Sequence, residues 1–141
     1  MVSDTGRTVN TNDSSGTLAV QTYIAGGAIP LEDANVIISK DNPAGGEELI
    51  KILQTDANGK TETVELPAPP AVNSKSPGNG RKYYTYNIRI DHPGYYTVEN
   101  RNVPVFAGNK SIQPIEMIPL PYGEEKGKRI TFVEAEPREL E

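Results

Sequence analysis

Residues 83–100 read YYTYNIRIDHPGYYTVEN. The first nine residues alternate with the period of two that is typical of a strand, and they are rich in the aromatic and β-branched types that strands favour. HPGY follows, in which Gly94 is the natural residue for a positive φ, and YTVEN then resumes an extended pattern. The stretch therefore predicts a strand, a tight turn and a second strand. The first strand would carry Tyr84, Tyr86, Ile88 and Ile90 on one face and Tyr83, Thr85, Asn87 and Arg89 on the other.

Short apolar segments on both sides of this stretch, separated by turn-forming residues, predict further strands. ELIKILQT is ambiguous because its apolar residues would also fit two turns of helix, but its shortness, its Gly-rich flanks and the lack of a helix C-cap favour a strand. Pro114 and Pro119 suit an edge strand or a bulge. Seven or eight short strands without a convincing helix predict an all-β sandwich. The further strand segments are GTLAVQTYIA, NVIISK, ELIKILQT, TETVEL, VPVF and KSIQPIEMIPL.

The segment TDANGK predicts a tight β-turn, because Asn58 and Gly59 both accept a positive φ and Asp56 is a common turn residue. Its spacing is also that of the start of a calcium loop. A calcium loop would need a bidentate carboxylate further along and helices on both sides, whereas Glu62 and Glu65 lie at the wrong offsets. We therefore interpret Asp56, Asn58, Gly59 and, in the later turn, Gly94 as structural turn residues, and we predict no metal site.

Composition excludes several classes of function. The chain has 141 residues, a formal net charge of −5 and a pI of about 5.0, which opposes binding to nucleic acid. No apolar run approaches the roughly 20 residues that span a bilayer, and the first residues lack the apolar core of a signal peptide. The absence of cysteine excludes disulfides and thiolate chemistry without fixing the compartment.

The chain is long enough for one domain with a single core. Residues 1–15 are polar and without periodicity, and they predict a flexible leader. After Pro121 the sequence becomes charged, so residues 122–141 are interpreted as a tail or linker. The apolar group of Ile130, Phe132 and Val133 within it indicates either an extra strand or the start of a linker to another domain. Lys126, Lys128 and Arg129 form a possible protease-accessible site.

Several of these segments together resemble the carboxypeptidase regulatory-like domain, also called the transthyretin-like or prealbumin-like domain. Its generic pattern is a first strand followed by P-x-x-x-A-x-V, T-D-x-x-G, and Y-x-(V/I) before x-G-Y. The longer form, with LPAPP, SPGN and SIQP before MIPLP, is similar to the N-terminal segment of clostridial-type spore cortex-lytic enzymes. The generic pattern maps onto Pro30, Ala34, Val36, Thr55, Asp56, Gly59, Tyr86, Ile88, Gly94 and Tyr95.

The resemblance implies a seven- to eight-stranded transthyretin-like sandwich with Greek-key connections over residues 16–121. It also implies a non-enzymatic accessory module that needs no cofactor, associated with the cell envelope or the spore. Such a module would contact a protein partner or act as a prosegment or docking domain of a downstream cell-wall hydrolase. Contact would use the loops at one end and an edge strand.

Catalytic chemistry finds little support in the sequence. His92 is the only histidine, and a lone histidine lacks the partners of a triad or a metal site. Related sandwiches with ureide hydrolase activity use several histidines, and those with intradiol dioxygenase activity use two histidines and two tyrosines on iron. Pilus modules that form isopeptide bonds need a lysine in the first strand, where this chain has none. We therefore predict that the chain is not an enzyme.

Tyrosines offer an alternative function, because five of the seven lie within residues 83–96. Exposed tyrosines stack on sugars or anchor protein interfaces. We expect Tyr84, Tyr86 and Tyr95 to fill the core. The rim residues Tyr83 and Tyr96, with Asn79 and Arg81, would then form a possible binding surface for peptidoglycan or another wall polysaccharide.

Overall fold

The fold is described from a computed structural model over residues 14–70, 82–121 and 129–133. Within these ranges the chain forms nine strands, and the one helical segment is a 3₁₀ turn over Ala25–Gly27. The predicted all-β class is therefore confirmed, and the helical alternative for ELIKILQT is wrong. The strands are β1 Ser14–Ile24, β2 Ile29–Pro30, β3 Asn35–Asp41, β4 Glu47–Gln54, β5 Val64–Ala68, β6 Tyr83–Asp91, β7 Thr97–Phe106, β8 Lys110–Glu116 and β9 Arg129–Val133.

The strands form two sheets. One has five strands in the order β9-β7-β6-β3-β4. The other is centred on β1, which pairs antiparallel with β2 and β5 and parallel with β8. The chain crosses between the sheets five times, between β2 and β3, β4 and β5, β5 and β6, β7 and β8, and β8 and β9. This alternation makes a two-layer sandwich in which every strand has an inner and an outer face.

The core lies between the inner faces of the two sheets, where apolar residues recur with period two. Tyr86 spans the layers, because its hydroxyl donates a hydrogen bond to the carbonyl of Pro67 at 2.6 Å. Burial raises the pKa of Tyr86 to about 12, since the charged phenolate would lose its water. The fully buried core includes Leu18, Val20 and Leu66 from one sheet and Val36, Ile38, Tyr86, Ile88, Ile90, Val98, Val103 and Val105 from the other.

The tyrosine strand is as long as predicted, but its contribution to the core differs. Tyr86 is buried and Tyr95 packs against the core, whereas Tyr84 is 51% exposed, so its predicted core position is wrong. Tyr84 lies near the beginning of β6, at one end of the sandwich, where the opposite sheet does not cover the ring. Alternation alone identified the face of this residue but not the point at which the core ends.

A β-bulge explains a second difference between the predicted and the observed strands. The sequence suggested two strands over YTVEN and VPVF, but these are one strand, β7. The pairing between β6 and β7 shifts after Tyr86, and Asn102 opposite takes a positive φ of 63°. The Asn87 side-chain oxygen accepts a hydrogen bond from the Asn102 amide at 3.1 Å, which stabilises the bulge. A β-bulge therefore carries the strand past the polar residues that look like an interruption.

Buried polar side chains form a threonine cluster, defined as Thr22, Thr55 and Thr61, at the end of the sandwich near the TDANGK turn. The hydroxyls of Thr22 and Thr55 both donate to the carbonyl of Leu31, at 2.8 and 2.9 Å. Thr55 also accepts from the Ala34 amide at 2.9 Å, and Thr61 accepts from the Val20 amide at 3.0 Å. These bonds satisfy backbone groups that would otherwise be buried without a partner.

The TDANGK turn packs directly on this cluster. The Asp56 carboxylate accepts hydrogen bonds from the Asn58 and Lys60 amides, at 2.9 and 3.0 Å. The bond from the Lys60 amide is the main reason that the pKa of Asp56 is lowered. Gly59 has a φ of 76°, and a Cβ built there would lie 2.3 Å from the carbonyl oxygen of Thr22. The turn therefore needs glycine both for its backbone angle and for its closeness to β1.

The segment Arg129–Val133 is a strand, β9, which runs parallel to β7. It lies inside the stretch interpreted as a tail, and it occupies one edge of the five-stranded sheet. Of the two interpretations open for the apolar group at Ile130, Phe132 and Val133, the structure shows the strand. The division of the chain into leader, sandwich and tail stays a prediction.

Candidate interaction surface

Strand β4 is one of the two edges of the five-stranded sheet and pairs with β3 alone. The register between β3 and β4 slips by one residue, so that Ile38 faces Lys51 and the next residue, Ser39, faces Leu49. Ile50 is the extra residue in this bulge. Because Ile38 points into the core and Ser39 points outward, the slip turns both Leu49 and Ile52 to the outer face. A regular strand would place residues three apart on opposite faces.

The result is an apolar patch on the outer face, defined here as the edge patch of Ile37, Leu49 and Ile52. Ile37 pairs with Ile52 across the two strands. Leu49 is 58% exposed and Ile52 is 60% exposed, whereas Leu53, which faces inward, is buried. The edge patch therefore adjoins a row of backbone groups that no strand covers among the described residues.

The other edge strands that the structure describes differ from β4. Strand β8 contains Pro114, β5 contains Pro67, and β2 has only two residues, one of them Pro30. Proline has no amide hydrogen and blocks the addition of another strand. Strand β9 pairs with β7 on one side and, like β4, has no strand on its other side among the described residues, but it has only five residues. With eight residues and no proline, β4 is the longest described edge that is open to pairing.

Charged side chains lie beside the edge patch on the same outer face. Arg101 makes ion pairs with three carboxylates, at 2.9 Å to Asp41, 2.7 Å to Glu47 and 3.0 Å to Glu99. We call these four residues the Arg101 cluster. It connects β3, β4 and β7, and Glu99 also contacts β9 through Arg129 at 3.6 Å. One guanidinium therefore joins three strands through charge-assisted hydrogen bonds.

The electrostatics of the Arg101 cluster follow from these contacts. The hydrogen bond from Arg101 is the largest effect on Glu47 and lowers the pKa of that carboxyl, and a hydrogen bond from Ser39 at 3.0 Å acts in the same direction. In return, Glu47 raises the pKa of Arg101. The side chains of Arg101 and Glu47 are 29% and 41% exposed, so solvent screens much of this attraction. The cluster fixes positions more than it adds stability.

A cavity of about 150 Å³ lies between the Arg101 cluster and the edge patch. Its walls combine apolar Ile37 and Leu49 with polar side chains from β3, β4, β6 and β7. Arg89 borders it, and its Nε is buried and lies 3.4 Å from the Asp91 carboxylate, an ion-pair distance without hydrogen-bond geometry. The cavity is therefore a shallow depression in the outer face that is continuous with the edge. It is lined by Ile37, Ser39, Glu47, Leu49, Asn87, Arg89 and Glu99.

The tyrosines predicted as a binding surface do not come together. Tyr83 begins β6, where its ring packs 5.3 Å from that of Phe106, while Tyr96 precedes β7 beyond the far end of β6. At about 3.3 Å per residue, the length of β6 separates them by roughly 25 Å. Both are half-buried, and their predicted neighbours Asn79 and Arg81 lie outside the described residues. One small sugar cannot contact both rings.

The ring of His92 contacts two backbone carbonyl groups and one tyrosine. One ring nitrogen lies 2.9 Å from the carbonyl oxygen of Pro93 and the other lies 3.0 Å from that of Glu32. Tyr95 packs edge-on against the ring at 5.1 Å. The ring thus holds the HPGY turn, where Gly94 has a φ of 85°, against the connection that precedes β3.

The predicted protease-accessible residues are only partly described. Lys126 and Lys128 lie outside the described residues, and Arg129 begins β9, where it pairs with Glu99. Within the described ranges no group of three or more potential ligand side chains could hold a metal ion, and no helix is long and apolar enough to cross a membrane. The carboxylates around Arg101 are already paired with a guanidinium.

Comparisons with known proteins place the chain in a fold and not in a family. No family model and no curated protein sequence matches it. Catechol 1,2-dioxygenase from Acinetobacter sp. ADP1 is similar in structure, with a TM-score of 0.52 and 14% identity over 86% of this chain and 60% of that chain. Catechol 1,2-dioxygenase from Pseudomonas arvilla C-1 gives a TM-score of 0.50 and 13% identity over 82% of this chain and 55% of that chain.

Transthyretin from Sparus aurata is also among the matched structures, with a TM-score of 0.33 and 18% identity over 52% of this chain and 54% of that chain. This chain spans 60% or less of the length of all three proteins. At these identities the likeness to the two dioxygenases shows a shared fold alone, and no activity follows from it.

Reasoning from the sequence missed the residues that this surface brings together, namely Leu49, Ile52, Glu47 and Arg101. One signal was available in ELIKILQT, where apolar residues are adjacent at Leu49–Ile50 and again at Ile52–Leu53, so that strict alternation breaks on both sides of Lys51. A break in period within a strand is the pattern of a bulge. The position of β4 at an open edge depends on sheet order, which the local pattern does not contain.

Proposed function

We propose that this chain is a non-enzymatic interaction module that docks on a protein partner through β4. The observation that supports this proposal is the contrast among the described edges: three of the others contain proline and β9 has only five residues, while β4 offers eight residues and an adjoining apolar patch. An added strand would pair with the backbone of β4, and the edge patch would receive its side chains. The Arg101 cluster would hold β4 in place, because it ties Glu47 at the beginning of that strand to β7.

The experiment compares two variants with the wild type. In Leu49→Lys/Ile52→Lys the edge patch becomes charged. Ile112→Lys, which changes an isoleucine that is 51% exposed on β8 of the other sheet, is the control. Each protein is immobilised on a resin and incubated with an extract of the source organism, and the captured proteins are identified by mass spectrometry. We expect one set of proteins to be retained by the wild type and Ile112→Lys and to be lost from the double variant.

Retention of the same set by all three proteins would show that β4 is not the docking element. Urea unfolding of each variant checks that the lost capture does not reflect a lost fold. Both substituted side chains of the double variant are already more than half exposed, so we expect the free energy of unfolding to change by no more than about 0.5 kcal/mol.

A role beside a cell-wall or spore-cortex hydrolase, as prosegment or docking domain, is a narrower form of the same proposal. It rests on the resemblance of LPAPP, SPGN and SIQP alone. Identification of a peptidoglycan hydrolase among the captured proteins, or in the coding region beside this one, would support it. A captured set without any such enzyme would leave a free-standing interaction module.

The alternative of a polysaccharide platform at Tyr83 and Tyr96 stays a prediction. Because these tyrosines lie at opposite ends of β6, the platform would have to consist of two separate contacts. Titration with soluble peptidoglycan fragments tests it, since saturable shifts at both tyrosines would support the platform. A titration without such shifts at millimolar ligand would reject it.

A further inference from the structure

We infer that β4 pairs antiparallel with β4 of a second copy of this chain, about a two-fold axis between Ile50 and Lys51. The inference rests on the proposed function, because it identifies the partner of the same edge. Pairing in this way would join the two five-stranded sheets into one continuous sheet. A two-fold interface requires one surface to be complementary to itself, and β4 meets that requirement in two independent ways.

The first is the pattern of faces. The register with β3 directs Glu47, Leu49, Ile52 and Gln54 outward, and it directs the other four residues toward the inner side. Because of the bulge, this pattern reads the same from either end of the strand. A register centred between Ile50 and Lys51 therefore sets every outward residue opposite an outward residue. Shifting the register by two residues in either direction would place an outward residue opposite an inward one.

The consequence for the edge patch is direct. In this register Leu49 of each copy lies opposite Ile52 of the other, so the two-fold axis forms the apolar pair twice. Cross-strand pairs of large aliphatic side chains stabilise a sheet. Two side chains that are 58% and 60% exposed in a single copy would thereby cover one another.

The second way in which β4 is complementary to itself is the position of its charged side chains. Charged side chains on an edge strand ordinarily oppose strand addition. Here Glu48 lies opposite Leu53 of the second copy, which places Lys51 of that copy at the diagonal position on the same side. The two-fold axis generates this pair twice. Glu48 and Lys51, which would otherwise oppose strand addition, would therefore form two ion pairs between the copies. Among the described residues Glu48 and Lys51 have no ion pair in the single copy that would have to be broken first.

The size of the contact sets its strength. One strand pair with its adjoining side chains is smaller than a standard interface of about 1,600 Å². The association should therefore depend on concentration, and sedimentation equilibrium from about 1 µM to about 1 mM covers the range expected for a small interface. We expect the wild-type chain to pass from monomer to dimer within it.

Charge exchange distinguishes this register from other dimers. Glu48→Lys and Lys51→Glu each set like charges against each other, so each should weaken dimerisation by about tenfold or more. In an equimolar mixture of the two variants, one copy carries lysine at both positions and the other carries glutamate at both. Each diagonal pair then joins opposite charges, so we expect a heterodimer within about threefold of the wild-type affinity. Glu65→Lys and Lys110→Glu, which make the same charge changes on β5 and β8 of the other sheet, are the matched controls and should dimerise like the wild type.

Two results would overturn the inference. A wild type that stays monomeric throughout would reject pairing between copies, and the proposed function would still stand if Leu49→Lys/Ile52→Lys lost its captured proteins. A wild-type dimer that is indifferent to both single exchanges, or a mixture that fails to recover, would place the dimer contact elsewhere. If Leu49→Lys/Ile52→Lys keeps its captured proteins while the exchanged mixture recovers a heterodimer, pairing between copies is supported and docking of a different partner through β4 is rejected.

Discussion

The threonine cluster and the Arg101 cluster are both polar, but they differ in what they bind and in how much water reaches them. The threonines are buried. Their hydroxyls make hydrogen bonds to backbone groups of β1, of the connection before β3 and of the connection after β4. Arg101 binds other side chains on a half-exposed outer face. Hydrogen bonds to backbone inside the sandwich hold the fold together, whereas the ion pairs outside hold a surface in position.

This difference predicts which substitutions should affect the stability of the fold most. A lost partner in the threonine cluster leaves a buried backbone group without a hydrogen bond and without water. A lost partner in the Arg101 cluster leaves a charge that water can reach. The comparison therefore predicts large effects on stability near Gly59 and Thr55, and small, pH- and salt-dependent effects at Arg101.

Gly59→Ala should give the largest effect. The added Cβ would lie 2.3 Å from the Thr22 carbonyl oxygen, at a φ of 76°, so the turn would have to move away from β1. We expect a loss of roughly 4 kcal/mol in the free energy of unfolding, because backbone strain and steric overlap combine. Urea unfolding followed by circular dichroism measures it.

Gly108→Ala is the matched control for that substitution. Gly108 has nearly the same φ, 77°, but nothing lies within 4 Å of its Cβ position. It should cost only about 1 kcal/mol, the cost of the backbone angle by itself. Equal losses for the two variants would show that the contact with β1 is unimportant.

Thr55→Val should give an intermediate effect. Valine has a similar shape but leaves the Ala34 amide without its acceptor and removes one donor from the Leu31 carbonyl. We expect a loss of about 2 kcal/mol, the usual cost of a buried group without a partner. Thr131→Val removes a hydroxyl that bonds Glu99 at 3.3 Å on the exposed strand β9, and it should cost less than about 0.5 kcal/mol. A reversed order of the two losses would contradict the distinction between inside and outside.

Apart from the control variants, Arg101→Met should give the smallest effect on stability, and this effect should depend on pH. It removes the ion pairs to Asp41, Glu47 and Glu99, and we expect a loss of about 1 kcal/mol at pH 7 and low salt because solvent screens these groups. The pKa of Glu47 in the folded chain is below its ordinary value of 4.5. Its contribution is therefore present above pH 4.5 and disappears as the pH falls through the folded-state pKa.

The difference between wild type and Arg101→Met should accordingly shrink as the pH is lowered from about 7 to about 3, and also in about 1 M salt. Paired urea titrations at each pH measure it. A difference that stays constant with both pH and salt would mean that Arg101 acts through the packing of its stem and not through charge.

Much of the fold could be predicted from the sequence because its signals are local. Strand β6 begins and ends where the tyrosine-rich pattern does, and Val36 and Ile38 are buried on one face as the alternation implied. Asp56, Asn58 and Gly59 form a turn because their backbone preferences do not depend on the rest of the chain. These features need only neighbouring residues.

The interaction surface could not be predicted in the same way, because it depends on which strands become neighbours. Arg101 and Glu47 are 54 positions apart, and only the order β7-β6-β3-β4 brings their side chains to 2.7 Å. The outward turn of both Leu49 and Ile52 depends on a bulge against β3, and the exposure of Tyr84 depends on where the opposite sheet ends. Local periodicity thus determined that the chain forms strands and which residues line the core. Which edge stays open depends on sheet order, and sheet order arises from contacts between distant segments that no local pattern contains.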